Sequence, residues 1–443
     1  MANARLDAAR RRLVNAKICQ AVETRYKRGI HVHTVSFQPL GLAKHNHDRM
    51  VTQNWTILGQ RWLLLALCDG NHGHLVADYV TEELPGRIRQ RLETLIKKSL
   101  GGFLDCVNVE EADPAVRSML KEAVLELDEA LANAVRDICP NPQDLTEDDA
   151  RSLGCEHQDV LKRAVHGTTL TMALIAPDDR LMWALGVGNS TIAISTTDNT
   201  GKRHAQCLLN VHSFDGPQEK DRFSLHHPGA ELQNGLIQNK RLFGWLPTSR
   251  TIGNHHLKMD KAYAHHLFQY VDTGKRRLRP SDLDKLVLSP PYLTADPSVC
   301  FVDLKPMWDK DLYVLLFSDG VDSAVNESTI FGQPSAPDRS SADPVNVVSA
   351  LLSYFVDPEV ERILGHHVQP RWNGRRSNIA LDVLGNLLGG TDAARLAIAT
   401  NWRTVRPGDG HLDDTSIMVA RFARHRSPGA FIGVAQPADA PQP

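Results

Sequence analysis

The stretch that most constrains this chain is Leu63 to His74, Leu-Leu-Leu-Ala-Leu-Cys-Asp-Gly-Asn-His-Gly-His. Five consecutive apolar residues precede Cys68, the pattern of a strand covered on both faces. The run stops at Asp69, a turn rich in Gly, Asn and His follows, and a long helical pattern then begins. A carboxylate at the end of a buried strand sits on the rim of a core, held by a stiff element, where a metal ligand or catalytic acid belongs. Taken alone, Asp69-Gly70 also reads as a turn and helix cap. The same arrangement recurs, however: Tyr313 to Phe317 is an apolar run closed by Ser318-Asp319-Gly320. A third acidic pair, Asp413-Asp414, precedes the strand pattern Ser416 to Phe422, and Asp48 lies in a loop between early strands.

Carboxylates at scattered strand ends converge if those ends share one sheet edge. Crowded carboxylates repel, and cations bound between them offset the cost. Oxygen-only ligands suit Mg²⁺ or Mn²⁺ rather than zinc. Two such ions activate a bridging hydroxide for in-line attack on phosphorus.

The 443 residues are 42% hydrophobic, enough for a large core, and the formal charge of -2 gives no case for nucleic-acid binding. Seven scattered cysteines without a Cys-x-x-Cys pair argue against zinc fingers and disulfide frameworks and fit a reducing, intracellular setting. No apolar run reaches the ~20 residues of a membrane span. Residues 1–28 read as a basic helix, equally a mitochondrial presequence or a surface helix, so the compartment stays open between mitochondrial and cytoplasmic. Length alone suggests about three domains, although a sandwich fold can run as one unit. Helices are expected over 74–100, bent or broken at Pro85, and over 112–138, with a polar loop over 141–157 and a polar excursion over about 215–245. Residues 425–443, rich in Pro, Ala and Gly, read as a disordered tail. The pairs His226-His227, His255-His256, His265-His266 and His366-His367 are assigned to the surface, since adjacent side chains diverge and rarely chelate one ion. Ser190 and Ser318 lack a Gly-x-Ser-x-Gly frame and do not suggest a serine hydrolase.

In order, Leu67 to His74, Gly167-Thr168-Thr169, Gly186-Val187-Gly188-Asn189-Ser190, Ser249 to Asn254, Phe317 to Val321 and Asp413 to Ser416 resemble the motif boxes of the metal-dependent protein serine/threonine phosphatases, the PPM or type 2C family. Asn239 to Gly244 and Ser289 to Pro297 are most similar to its pyruvate dehydrogenase phosphatase branch. The resemblance implies a single catalytic domain over 29–424 with an α+β fold, a β-sandwich of two antiparallel sheets flanked by helices in α-β-β-α layers. It implies hydrolysis of phosphoserine and phosphothreonine on a protein substrate by hydroxide held between two Mg²⁺ or Mn²⁺ ions. It also implies roles for individual residues: Asp69 bridging both metals, the Gly70 carbonyl, Asp319 and Asp413 as further ligands, Asp48 holding a metal-bound water, and His72 protonating the leaving oxygen.

The departures are specific. Asn71 is inserted before His72, His47 replaces an acid before Asp48, and Asn189 and Asn254 replace acids. Ala43 stands about where a phosphate-gripping Arg belongs, with Lys44 or Arg49 as substitutes. A lysine would lose bidentate geometry. Losses around a metal's ligands each reduce affinity or rate by roughly 10–100-fold. The alternative is therefore a pseudophosphatase, a binding module with weak or no turnover.

Overall fold

The computed structural model describes residues 2–16, 19–26, 29–38, 46–105, 107–227, 229, 235–271, 287–326, 329–330, 333–334, 342–374, 378–400 and 412–422. The expected tail over 425–443 and the positions Ala43 and Lys44 lie outside the described residues.

Eleven strands build two facing sheets: β1 (Cys19–Tyr26), β2 (Ile30–Phe37), β3 (Arg49–Ile57), β4 (Gln60–Cys68), β5 (Leu170–Ala176), β6 (Leu181–Val187), β7 (Thr191–Thr197), β8 (Arg203–Cys207), β9 (Ser298–Asp303), β10 (Tyr313–Phe317) and β11 (Thr415–Phe422). One sheet runs β1-β2-β11-β10-β7-β8 and the other β9-β6-β5-β4-β3, with every pairing antiparallel.

The continuous apolar run of β4 follows from this layering. Successive side chains point to opposite faces. Leu63, Leu65 and Leu67 enter the core between the sheets. Trp62, Leu64, Ala66 and Cys68 face the helices Leu75–Ser99 and Val109–Ile138. β10 does the same on the other side, with Val314 and Leu316 inward and Tyr313, Leu315 and Phe317 under the C-terminal helices. Each fully buried large side chain contributes on the order of 1.5–3 kcal/mol. The result is the expected α+β sandwich in four layers.

Several local expectations change. The N-terminal helix ends at Val14 rather than continuing to residue 28, and it packs Ala9 and Leu13 against the sheet and helices of the C-terminal core. Cys19–Tyr26 is instead β1, an edge strand held by its register with β2, Cys19 opposite Phe37 and Tyr26 opposite Ile30. The helix Leu75–Ser99 runs on through Pro85. Burial of Val80, Leu84, Ile88, Leu92 and Ile96 outweighs the ~3 kcal/mol helical cost of a proline. The polar segment after Asn141 contains a helix, Glu147–Glu156, started by a Thr146–Asp149 capping box. The excursion over 215–245 has its own helix, Pro217–His226, and a short hairpin pairing Ile237–Gln238 with Arg241–Leu242. Phe214, Phe223, Leu242 and Leu246 pack there against Tyr292 in a separate small core.

Candidate active site

Antiparallel pairing explains why distant acids meet. Arg49 at the start of β3 pairs with Cys68 at the end of β4, so Asp48 and Asp69 flank one another. Ile417 near the start of β11 pairs with Phe317 at the end of β10, which brings Asp413 and Asp414 beside Asp319. The two sheets face one another, and these ends form one rim.

Asp69 is fixed through its backbone. Its N–H donates to Thr169 Oγ1 at 3.2 Å, and its carbonyl accepts from Thr168 Oγ1 at 2.9 Å and the Thr169 N–H at 2.8 Å. Gly70 pairs with Thr168 in a short ladder. A Cβ at Gly70 would lie 2.6 Å from the Gly73 carbonyl oxygen and 2.8 Å from that of His47, so only glycine fits this crossing of backbones. Asp319 Oδ2 accepts from Asn189 Nδ2 at 2.7 Å. Asp48 Oδ2 accepts from Ser318 Oγ at 2.8 Å. Asp414 Oδ2 receives the His47 N–H at 2.8 Å.

The acids act on one another. Burial pushes the Asp69 carboxyl well up, and Asp319, Asp48 and Asp413 push it further. Burial and then Asp413 raise Asp319 to about 6, although Asn189 opposes the shift. Burial also raises Asp48, followed by Asp414. Asp413 itself is exposed at the mouth. Asp48 Oδ1 and Asp319 Oδ1 are buried without a hydrogen-bond partner among the described residues. Uncompensated buried carboxylate oxygens are costly. Hard divalent cations take such all-oxygen donor sets, so the residues present fit Mg²⁺ or Mn²⁺.

Asp48, Asp69, Gly70, Asp319 and Asp413 are thus brought to one rim. His72 stands close by in a left-handed conformation (φ 64), its ring edge-on to Trp245 at 4.7 Å. His74, the other histidine of this turn, is tied to Asp78 through Nδ1 at 2.6 Å. Arg49 is bound to Asp78 through Nε and to the carbonyls of Asn46 and Asp48 through Nη1 at 2.7 and 2.8 Å, so these two nitrogens of its guanidinium are already engaged. Lys44 lies outside the described residues. Asn254 is not at the rim of acids. It is fully buried against Gly167, donating Nδ2 to the Val165 carbonyl at 3.2 Å.

The assignment of the histidine pairs to the surface is corrected in part. His255 and His256 are buried at 2% and 1% exposure, and His227 at 4%. Both nitrogens of His256 and of His166 are buried without hydrogen-bond partners among the described residues. His72 is 6.3 Å from His256 and repels a proton on His166, so three imidazoles gather beside the acids. Single-position reasoning could not find this group, because only the fold brings residues 72, 166 and 256 together. It also missed Ser318, weighed only as a nucleophile, and Arg241, whose positive charge acts on Asp319 from the 237–242 hairpin.

Residues 43–336 match the family model described as Protein phosphatase 2C. The chain belongs to the protein phosphatase 2C family. Human [Pyruvate dehydrogenase [acetyl-transferring]]-phosphatase 1, mitochondrial, is 26% identical over 166 residues, 37% of this chain and 29% of that protein. The probable protein phosphatase 2C 39 of Oryza sativa subsp. japonica is 27% identical over 282 residues, 59% of this chain and 48% of that protein. The matches therefore span less than half the length of these curated relatives. The crystal structure of a serine-threonine phosphatase 2C from Toxoplasma gondii superposes with a TM-score of 0.51 at 15% identity, covering 91% of this chain and 99% of that one. At that identity the likeness speaks for the fold.

Proposed function

We propose that this protein phosphatase 2C member hydrolyses phosphoserine and phosphothreonine on protein substrates, with two Mg²⁺ or Mn²⁺ ions held by Asp69, the Gly70 carbonyl, Asp319 and Asp413. The observation that carries the reading is the rim itself: four acids from four strand ends, with two buried carboxylate oxygens lacking partners. When bound, the ions supply positive charge to the phosphoryl oxygens and lower the pKa of the attacking water.

The chain's residues do the remaining work. Asn189 orients Asp319, and Ser318 orients Asp48 toward that water. His72 is the proton donor to the leaving alkoxide, a group that leaves poorly without an acid. Trp245 packs against its ring, limiting where it points. Arg241 takes the phosphate-facing role that Arg49 has given up to Asp78. The excursion carrying Arg241 and Trp245 then shapes the substrate entrance.

The engagement of Arg49 with Asp78 favours a second reading, a pseudophosphatase that binds phosphoprotein without turnover. One experiment separates them: hydrolysis of a phosphothreonine peptide with Mn²⁺, with Mg²⁺ and with chelator, beside Asp69→Asn and Asp319→Asn. Metal-dependent turnover lost in both variants supports the enzyme. No turnover by folded protein at saturating metal leaves the binding module.

A further inference from the structure

A second cluster of ligating side chains lies away from the acid rim, at the far edge of the first sheet. Glu23 sits on β1 directly opposite His33 on β2, and His31 is two residues from His33 on the same strand. Period-two alternation places both imidazoles on one face. That face is the one bearing Val35 and Phe37, under the C-terminal helices. The donor atoms of Glu23, His31 and His33 all lie within 4.8 Å of one another. Glu23 Oε1 and His31 Nδ1 are already 3.2 Å apart. Two ligands of a tetrahedral zinc ion with bonds of ~2.0–2.1 Å are separated by about 3.3 Å, so the Glu23–His31 pair is at ligand spacing, with a His33 nitrogen within 4.8 Å of both.

Two further observations point to a ligand. His33 is 5% exposed, and its Nδ1 is buried with no hydrogen-bond partner among the described residues. All three side chains line one partly open cavity of about 240 Å³, together with Tyr313, Tyr354, Arg371, Asp382 and Arg421. Two imidazoles and one carboxylate are a borderline-soft donor set, unlike the all-oxygen rim.

We propose that Glu23, His31 and His33 form a three-ligand site for a transition-metal cation of the zinc type, its fourth position opening into the cavity. The ligands come from adjacent strands, and β1 is the edge of its sheet. A bound ion therefore clasps the edge strand to its neighbour. Arg25 competes for the same carboxylate, with Nε 2.8 Å from Glu23 Oε1, but its side chain is 71% exposed and can turn to water.

The test uses the full chain with excess Mg²⁺ added to compete for the acid rim. Zn²⁺ affinity is measured by competition with a chromophoric chelator, and Co²⁺ serves as a spectroscopic substitute. The expected result is one equivalent of Co²⁺ giving the intense visible bands of a four-coordinate, nitrogen-bearing site. Zn²⁺ should also raise the thermal midpoint. His31→Ala with His33→Ala should abolish both effects and weaken zinc binding by roughly 100-fold or more, at least the loss seen when a ligand's supporting bonds are removed. Arg25→Ala should tighten it several-fold. Glu23→Gln, at the mouth, guards against a folding defect in the double variant and should also weaken binding. Equal affinity and identical Co²⁺ spectra in wild type and Glu23→Gln would overturn the site, whatever the phosphatase assay reports.

Discussion

Ser318 Oγ donates to Asp48 Oδ2 at 2.8 Å, and the same hydroxyl oxygen accepts the Ser416 N–H at 2.9 Å. One side chain thereby locks β10, β11 and the loop before β3 at the acid rim. Ser318→Ala leaves Asp48 buried with neither oxygen bonded to that hydroxyl, and such a loss costs about 1–3 kcal/mol. The expected outcome is a folded protein whose apparent Mn²⁺ requirement in phosphopeptide hydrolysis rises roughly 10–100-fold. A Mn²⁺ titration of initial rates checks it, and an unchanged midpoint would remove Ser318 from the positioning of Asp48.

Asn189 stands against Asp319, its amide donating at 2.7 Å. Asn189→Asp replaces that donor with a second carboxylate. Without metal, the new charge should destabilise the chain by about 1–3 kcal/mol, because a charge-assisted bond becomes a repulsion. Added Mg²⁺ or Mn²⁺ should restore the loss. Thermal melts in chelator and in excess metal measure both arms; equal melting of variant and wild type in chelator would refute the prediction.

Buried histidines set an acid limit. His33, His166, His212 and His255 are each held down to about 4 from 6.5, burial being the first cause in every case. His256, fully buried, is held well below its ordinary value. The unfolded chain takes up these protons near pH 6.5, whereas the folded chain resists them until about pH 4. Below 6.5 the unfolded state therefore binds more protons, and stability falls as pH drops. Each such histidine contributes at most ~1.4 kcal/mol per pH unit in that window. The raised carboxyls of Asp48, Asp69, Asp319 and Asp322 act in the opposite direction over this window, because the folded chain holds their protons more tightly than the unfolded one. The histidine part is therefore read from the difference between wild-type and variant urea midpoints at pH 7, 6 and 5. His212→Gln, which removes a ring accepting from the Gly188 N–H and paired with Ser298, should give a shallower slope between pH 6 and 5.

What the sequence disclosed depended on how local each signal was. The strands ending at Cys68 and Phe317 are complete in themselves, because each apolar run faces cores on both sides. Asp69, Gly70 and Asp319 could therefore be picked out with their neighbours alone. β1 could not: only Cys19 is buried in it, and the strand exists through its pairing with β2. The burial of His255 and His256 is likewise a product of packing, set by Asn254 turning the chain at φ 52 into a short 3₁₀ segment. Arg49 looked available for phosphate, and only the helix starting at Leu75 brings Asp78 to occupy it. The Thr146–Asp149 cap was a local signal passed over, with Asp in place of the usual Glu or Gln.

Arg241 and Trp245 tie the excursion to the acids. Arg241 Nη1 donates to the Trp245 carbonyl at 3.0 Å, while the Trp245 ring meets His72 at 4.7 Å. The charge of Arg241 stabilises the ionised form of Asp319. It is exposed, so its contribution to folding is small, but a phosphoryl dianion entering the rim would meet it. Arg241→Ala should therefore raise KM for a phosphothreonine peptide by about 10-fold, the scale of one charge-assisted hydrogen bond, with the melting temperature unchanged. Arg241→Lys should recover only part of the loss, since a point charge lacks the bidentate fork. Trp245→Ala acts differently: it frees the His72 ring and should lower kcat more than it raises KM. If the two variants instead shift KM and kcat alike, the hairpin serves as a lid without separate roles for its two side chains.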